Sequence, residues 1–119
     1  MAFDLSVART PDCMRVTITG SPEIGELLSL IHTLGVESET WPLDRLLVDL
    51  RGIVTLFTQV EQFRVGEEAA ASFSHMDCLA SLVPPERVTR VSEKAARRSG
   101  ANVRVFDDEQ EALAWLRER

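Results

Sequence analysis

The sequence predicts an α/β domain: a five-stranded, mostly parallel sheet with an antiparallel N-terminal strand and four helices, in the order ββαβαβαβα. Three observations predict it. Apolar and polar residues alternate between Phe3 and Ile18, the pattern of half-buried strands. Two short, largely apolar runs, Leu46–Leu50 and Cys78–Val83, read as strands covered on both faces. The segments between and after them carry helical spacing or helix start signals. Strands alternating with helices imply parallel neighbours joined by right-handed crossovers.

Phe3, Leu5 and Val7 form one arm of a hairpin and Met14, Val16 and Ile18 the other, with a break at Arg9-Thr10-Pro11-Asp12. Ser21 offers an N-cap with Pro22 at the first helical position, and Ile24, Leu27, Leu28, Ile31 and Leu34 recur at helical spacing until Gly35 ends the run. A polar link containing Trp41-Pro42 leads to the central strand, Leu46 to Leu50. Thr58 and Glu61 have capping-box spacing, so a second helix is expected from Gln59 to Phe73. Pro84-Pro85 ends the fourth strand because proline cannot donate to a ladder. A third helix over Val88 to Ser99 stops at Gly100, Val103 to Phe106 makes the fifth strand, and Asp107 with Gln110 caps a last helix carrying Ala112, Leu113 and Leu116.

Of the 119 residues, 45% are apolar and 27% charged, which fits one globular domain spanning 1–119. Nineteen acidic against thirteen basic residues leave a net charge of −6, which disfavours a polyanion such as nucleic acid as partner. Cys13 and Cys78 lie far apart in apolar stretches without C-x-x-C spacing, as expected of buried reduced thiols and not of a metal site. No run approaches the roughly 18 apolar residues of a membrane span, and no signal-peptide pattern follows Met1, so a cytoplasmic protein without a transmembrane segment is expected. No cofactor or metal is called for.

Val48-Asp49-Leu50-Arg51-Gly52, Asn102-Val103-Arg104-Val105-Phe106 and Glu111-Ala112-Leu113-Ala114-Trp115-Leu116 together give the chain a look that resembles the SpoIIAA-like branch of the STAS/SEC14-like domains. The resemblance implies a βα superhelix and a non-enzymatic regulatory or protein-interaction module. Its more distant lipid-binding relatives imply an alternative, a carrier or sensor of a small hydrophobic ligand. In anti-anti-sigma factors of this kind the loop after the central strand holds an aspartate, two serines and a glycine, one serine being the phosphorylation site. Here that stretch reads Leu56-Phe57-Thr58-Gln59-Val60, in which Thr58 alone keeps a hydroxyl and is the candidate phosphosite.

Asp49 stands near the C-terminal end of a buried strand, where ligands of open α/β sheets gather. It either marks a recognition surface or accepts hydrogen bonds that fix the following turn. The connection Arg51 to Phe57 is apolar for a loop, so it either folds back on the sheet or presents a patch to a protein partner, a second subunit or an acyl chain. The expected contact surface is Asp49, Arg51, Gly52, Leu56, Phe57 and Thr58. Arg87, Arg90, Lys94, Arg97 and Arg98 form a basic stripe on the third helix, and residues 86–104 carry a balance of +4 against −10 for the remainder. That stripe either steers an acidic partner or is a solvated face. Catalysis would require Asp49 and His75 to share one cleft, as a hydrolase or transferase would need; no nucleophile elbow is present, and Ser72, Ser74 and His32 lack partners at catalytic or metal spacing. Trp41 and Trp115 read as packing residues. A homodimer through the loop or a sheet edge is a further expectation.

Overall fold

In the computed structural model, which describes residues 3–85, 94, 97, 98, 100 and 102–118, the elements are β1 (Phe3–Arg9), β2 (Met14–Gly20), α1 (Ile24–Ser38), β3 (Arg45–Ile53), α2 (Gln59–Ser72), β4 (Cys78–Leu82), β5 (Val103–Phe106) and α3 (Glu109–Arg117). The strands lie in the order β1-β2-β3-β4-β5, with β1 antiparallel to β2 and every later pairing parallel. The sheet expected from the sequence is therefore present. The helix expected over Val88 to Ser99 falls almost wholly outside the described residues, within which Lys94, Arg97 and Arg98 are helical. The described residues thus give three full helices where the sequence predicts four.

Each face of the sheet has its own core, which is why the central strands read as largely apolar runs and not as alternating ones. Val16, Ile18, Leu46, Leu79 and Val103 point to the side of α1 and α2, where Leu27, Ile31, Leu34, Ala70 and Phe73 meet them. Cys13, Leu47, Ala80, Leu82 and Phe106 point to the other side, against Ala112, Trp115 and Leu116 of α3. Trp115 is buried there, its ring 5.8 Å from that of Phe106 in a tilted arrangement. Cys78 completes this second core, so both cysteines are buried thiols.

The structure corrects three boundaries. The cap of α1 is Glu23, not Ser21: the Glu26 carboxylate accepts from the Glu23 N–H at 2.9 Å, and Pro22 is buried one residue earlier. Gly35 does not end α1, which runs on to Ser38, because Gly35 is where α2 approaches the helix. Asp108, not Asp107, caps α3, its side chain accepting from the Gln110 N–H at 2.8 Å. The Thr58 cap is as expected: its hydroxyl accepts from the Glu61 N–H at 3.1 Å, and the Glu61 carboxylate accepts from the Thr58 N–H at 2.9 Å.

Candidate functional site

The loop from β3 into α2 and the charged cluster behind it are set by a bulge. Thr17 pairs with Asp49 but Thr19 pairs with Gly52, so β3 holds one extra residue against β2. The bulge lets Arg51 turn back over Asp49 while Ile53 enters the core on the helix-pair face. Gly52 is required by space: a Cβ there would stand 2.5 Å from the Thr19 Cγ2 and 3.1 Å from its Cβ. Gly52→Ala is expected to destabilise the fold by about 1–2 kcal/mol through overpacking, and Gly52→Ala combined with Thr19→Ser, which removes the clashing methyl, is expected to recover part of that loss in chemical denaturation.

Asp49 is almost sealed from solvent on the α3 side of the sheet. Arg51 grips it with two side-chain bonds, Nε to Oδ1 at 3.0 Å and Nη2 to Oδ2 at 2.8 Å, and adds its backbone N–H to Oδ1 at 3.1 Å. Arg15 of β2 donates to Oδ2 at 2.8 Å. Both arginines also reach Glu109, the first residue of α3, at 2.8 and 2.9 Å. Two cations and two anions thus tie β2, β3 and α3 together with no net charge. Burial opposes the ionised form of Asp49, but the Arg51 and Arg15 hydrogen bonds and the Arg51 charge outweigh it and hold the carboxyl below its usual range. The hydrogen bond from Arg15, with both arginine charges, does the same for Glu109. The Glu109 and Asp49 carboxylates in turn raise Arg15 and Arg51. Both oxygens of Asp49 are occupied, so this carboxylate fixes the turn and anchors α3.

The loop itself alternates. The Val54 N–H donates to the Gly20 carbonyl at 2.8 Å, the Thr55 hydroxyl donates to the Pro22 carbonyl at 2.9 Å, and Phe57 packs half-buried on the core. The residues between point outward: Val54 is 66% exposed and Leu56 78%. On α2 the buried residues are Gly66 and Ala70; Val60, off that stripe, is 71% exposed, and Phe63, on the stripe one turn before Gly66, is still 38% exposed. Val54, Leu56, Val60 and Phe63 are thus exposed apolar side chains that flank the exposed Thr58 cap along the chain.

Of the residues singled out from sequence, Asp49 and Arg51 belong to the ionic cluster, Gly52 to the bulge, Phe57 to the core margin, and Leu56 and Thr58 to the exposed strip. Arg15, Glu109, Val60 and Phe63 were not foreseen, and Val54 only as part of the apolar connection from Arg51 to Phe57. Arg15 and Glu109 stand far apart in sequence and meet only through the sheet. Val60 could have been found by setting the Phe63–Gly66–Ala70–Phe73 stripe inward first; the same step would have placed Phe63 inward.

His75 lies elsewhere. Arg45 pairs with Cys78 and Asp49 with Leu82, so Asp49 stands about 13 Å along the sheet from the end that His75 precedes. The His75 Nε2 is 2.7 Å from the hydroxyl of buried Ser38 on α1, across the sheet from the α3 side that holds Asp49. Asp49 and His75 therefore do not share the cleft that the hydrolase or transferase alternative requires. Ser72 donates to Glu68 at 2.7 Å, and His32 Nδ1 stands 3.9 Å from the same carboxylate. Among the described residues no group of three or more His, Cys, Asp or Glu converges to hold a metal ion, and no helix is long and apolar enough to cross a membrane.

The apolar cavity between the sheet and the α1–α2 pair, lined by Leu27, Leu34, Val48, Leu50 and Phe73 among others, measures about 60 Å³. A drug-sized ligand needs roughly 300 Å³ or more, so this space gives the hydrophobic-carrier alternative no support. Of the basic stripe, Arg87 and Arg90 lie outside the described residues; Lys94, Arg97 and Arg98 are exposed, and Arg97 Nε donates to the Val103 carbonyl at 2.9 Å.

The SpoIIAA-like family profile matches residues 13–117, from the start of β2 to the end of α3. The chain belongs to the SpoIIAA-like family. Among solved structures, an anti-sigma factor antagonist from Mycobacterium paratuberculosis is similar at a TM-score of 0.64 with 13% identity, over 97% of this chain and 94% of the other. An uncharacterized protein with a SpoIIAA-like fold from Shewanella loihica is similar at 0.59 with 14% identity, over the same shares. At those identities the likeness is one of fold. No curated protein matches the sequence. The five-stranded mixed sheet and its helices are accordingly those of a SpoIIAA-like domain.

Proposed function

We propose that this SpoIIAA-like domain works by binding a protein partner, with Val54, Leu56, Val60 and Phe63 as the contact strip and Thr58 at its centre. The single observation that carries the reading is the outward aim of Leu56 and its neighbours, which the loop's own hydrogen bonds hold in place: large apolar side chains pinned in water by a rigid frame are what a docking surface consists of. Asp49, Arg51 and Gly52 contribute by fixing the exit of β3 and not by touching the partner. The likeness to an anti-sigma factor antagonist makes an anti-sigma factor the partner class to try first. The exposed basic side chains Lys94 and Arg98 would favour an acidic flank on such a partner.

Thr58 is the natural place to switch this surface. A phosphate on its hydroxyl would sit favourably at the α2 N-terminus but would displace the Glu61 carboxylate from the cap and put about two negative charges amid the apolar strip. Binding of the host's anti-sigma factors, measured by calorimetry, is the test. Wild-type protein should bind at least one of them; Leu56→Asp and Thr58→Glu should weaken that binding at least tenfold while the melting temperature stays within a few degrees. Binding that Leu56→Asp leaves unchanged, or no binding to any of them, would refute the reading.

A further inference from the structure

A second surface, remote in sequence from the β3–α2 strip, lies at the edge of the sheet. Strand β1 pairs with β2 without interruption from Phe3↔Gly20 to Arg9↔Met14, and among the described residues no strand pairs with its outer side. The Thr10 N–H donates to the Cys13 carbonyl at 2.9 Å, which makes Thr10 and Cys13 a hydrogen-bonded pair. Antiparallel ladders alternate, so Ala8, Ser6 and Asp4 direct their backbone groups to β2, and Phe3, Leu5, Val7 and Arg9 direct theirs outward. Monomeric proteins protect such an edge with prolines, lysines, bulges or a very short strand. Here β1 has none of these, whereas β5, at the opposite edge, is only 4 residues long. Leu5 and Val7 lie on the α1–α2 side, cross-strand from Ile18 and Val16, and remain 40% and 39% exposed.

We infer that β1 pairs antiparallel with β1 of a second copy of this chain, joining two sheets into one. The strand is suited to itself. Its two charges, Asp4 and Arg9, stand near opposite ends and on opposite faces of the strand, so antiparallel pairing sets neither against its own kind, whereas a parallel in-register partner strand of the same sequence would set like beside like. Two-fold symmetry requires that paired residues share a face, which limits the register to those centred on a residue. Centred on Ser6, the pairing matches Phe3 with the partner's Arg9 and Leu5 with the partner's Val7, so every outward residue of the strand is used. Within residues 3–9, centring on Leu5 or Val7 would leave one end of each strand without a partner. The Ser6 register also sets Leu5 against Val7 on the α1–α2 side, an aliphatic cross-strand pair that covers both, and opposes no like charges.

Sedimentation analysis over a wide range of protein concentration tests the pairing. The mass should rise from 13.3 kDa toward twice that value. Val7→Pro, which removes an outward N–H but none donated to β2, and Leu5→Lys should both hold the protein at the monomer mass with an unchanged circular dichroism spectrum. Ser6→Cys fixes the register: at the symmetry axis the two Cα atoms stand about 4.5 Å apart, within disulfide reach, and mild oxidation should link the copies many-fold faster than in Ala8→Cys. A monomer at every concentration, or cross-linking no faster in Ser6→Cys than in Ala8→Cys, would overturn the inference. Either result leaves the β3–α2 surface untouched, since Leu56→Asp reads that surface separately.

Discussion

Asp49→Ala is expected to lower folding stability by about 3 kcal/mol, a drop in Tm of roughly 10 °C for a domain of this size. Losing the attraction is the smaller part. The substitution leaves Arg15 and Arg51 with Glu109 alone between them, and Arg15 is only a quarter exposed at its side chain. Removing one partner of a buried pair strands the other's charge, and that is where costs of 3–5 kcal/mol arise. Arg51 is 43% exposed at its side chain and regains water, which places the expected value at the lower end. Asp49→Asn separates the contributions: it keeps the shape and one acceptor for the Arg51 N–H, and should cost less than alanine but more than Glu109→Ala, whose carboxylate is about one-third exposed. Urea denaturation of the three variants gives the order. If Asp49→Ala proves no worse than Glu109→Ala, the cluster does not hold β2, β3 and α3 together.

The same cluster sets a direction for pH. Asp49 and Glu109 are both held below the ordinary carboxylate range in the folded protein. On acidification the unfolded chain therefore takes up these protons first. Their contribution to stability is complete above the ordinary range of about 4, and fades as pH falls from there through the lower folded-state values. Stability of the wild type should decline with acid from about pH 5 downward, and Asp49→Asn, which has no proton to take up at that position, should decline less steeply.

Those four residues also show where sequence reading stops. The order of strands and helices was legible because each element carries its own pattern: alternation in β1 and β2, short and largely apolar runs in β3 and β4, helical spacing in α1 and α3. The Thr58–Glu61 box was legible because both partners lie within one turn. Asp49 drew attention as an acid in an apolar strand, and Arg51, two residues on, was a nameable partner. Arg15 and Glu109 were not, since only the β2–β3 register and the position of α3 bring them to one carboxylate. The exposed apolar side chains were half legible: Leu56 stood out as apolar in a loop, but the exposure of Val60 depends on which side of α2 is covered, and that of Phe63 on how far along α2 the cover reaches. Gly35 misled for a related reason. A glycine after an apolar stripe is a common helix stop, and nothing local distinguishes it from a glycine that a neighbouring helix requires.

That requirement makes Gly35→Ala the sharper test of packing, with an expected loss of about 2 kcal/mol. In an isolated helix the change would be favourable by about 1 kcal/mol, because alanine has the better propensity. Here a Cβ would stand 2.6 Å from the Ser72 Cβ and 2.6 Å from the Ser72 carbonyl oxygen. The carbonyl is backbone and has no rotamer to yield with, so α1 and α2 must separate. Overpacking of that kind costs about 1–3 kcal/mol or more, which exceeds the propensity gain. Gly25, in the first turn of the same helix, has nothing within 4 Å of its would-be Cβ. Gly25→Ala is therefore expected to stabilise, by up to about 1 kcal/mol. Two identical substitutions in one helix should move the denaturation midpoint in opposite directions. The strip on α2 responds to the same contact: if Gly35→Ala shifts α2, binding through Val60 and Phe63 should weaken along with stability, whereas Gly25→Ala should leave it unchanged. Equal signs for the two glycines would mean that α1 and α2 are not seated on one another at Gly35 and Ser72.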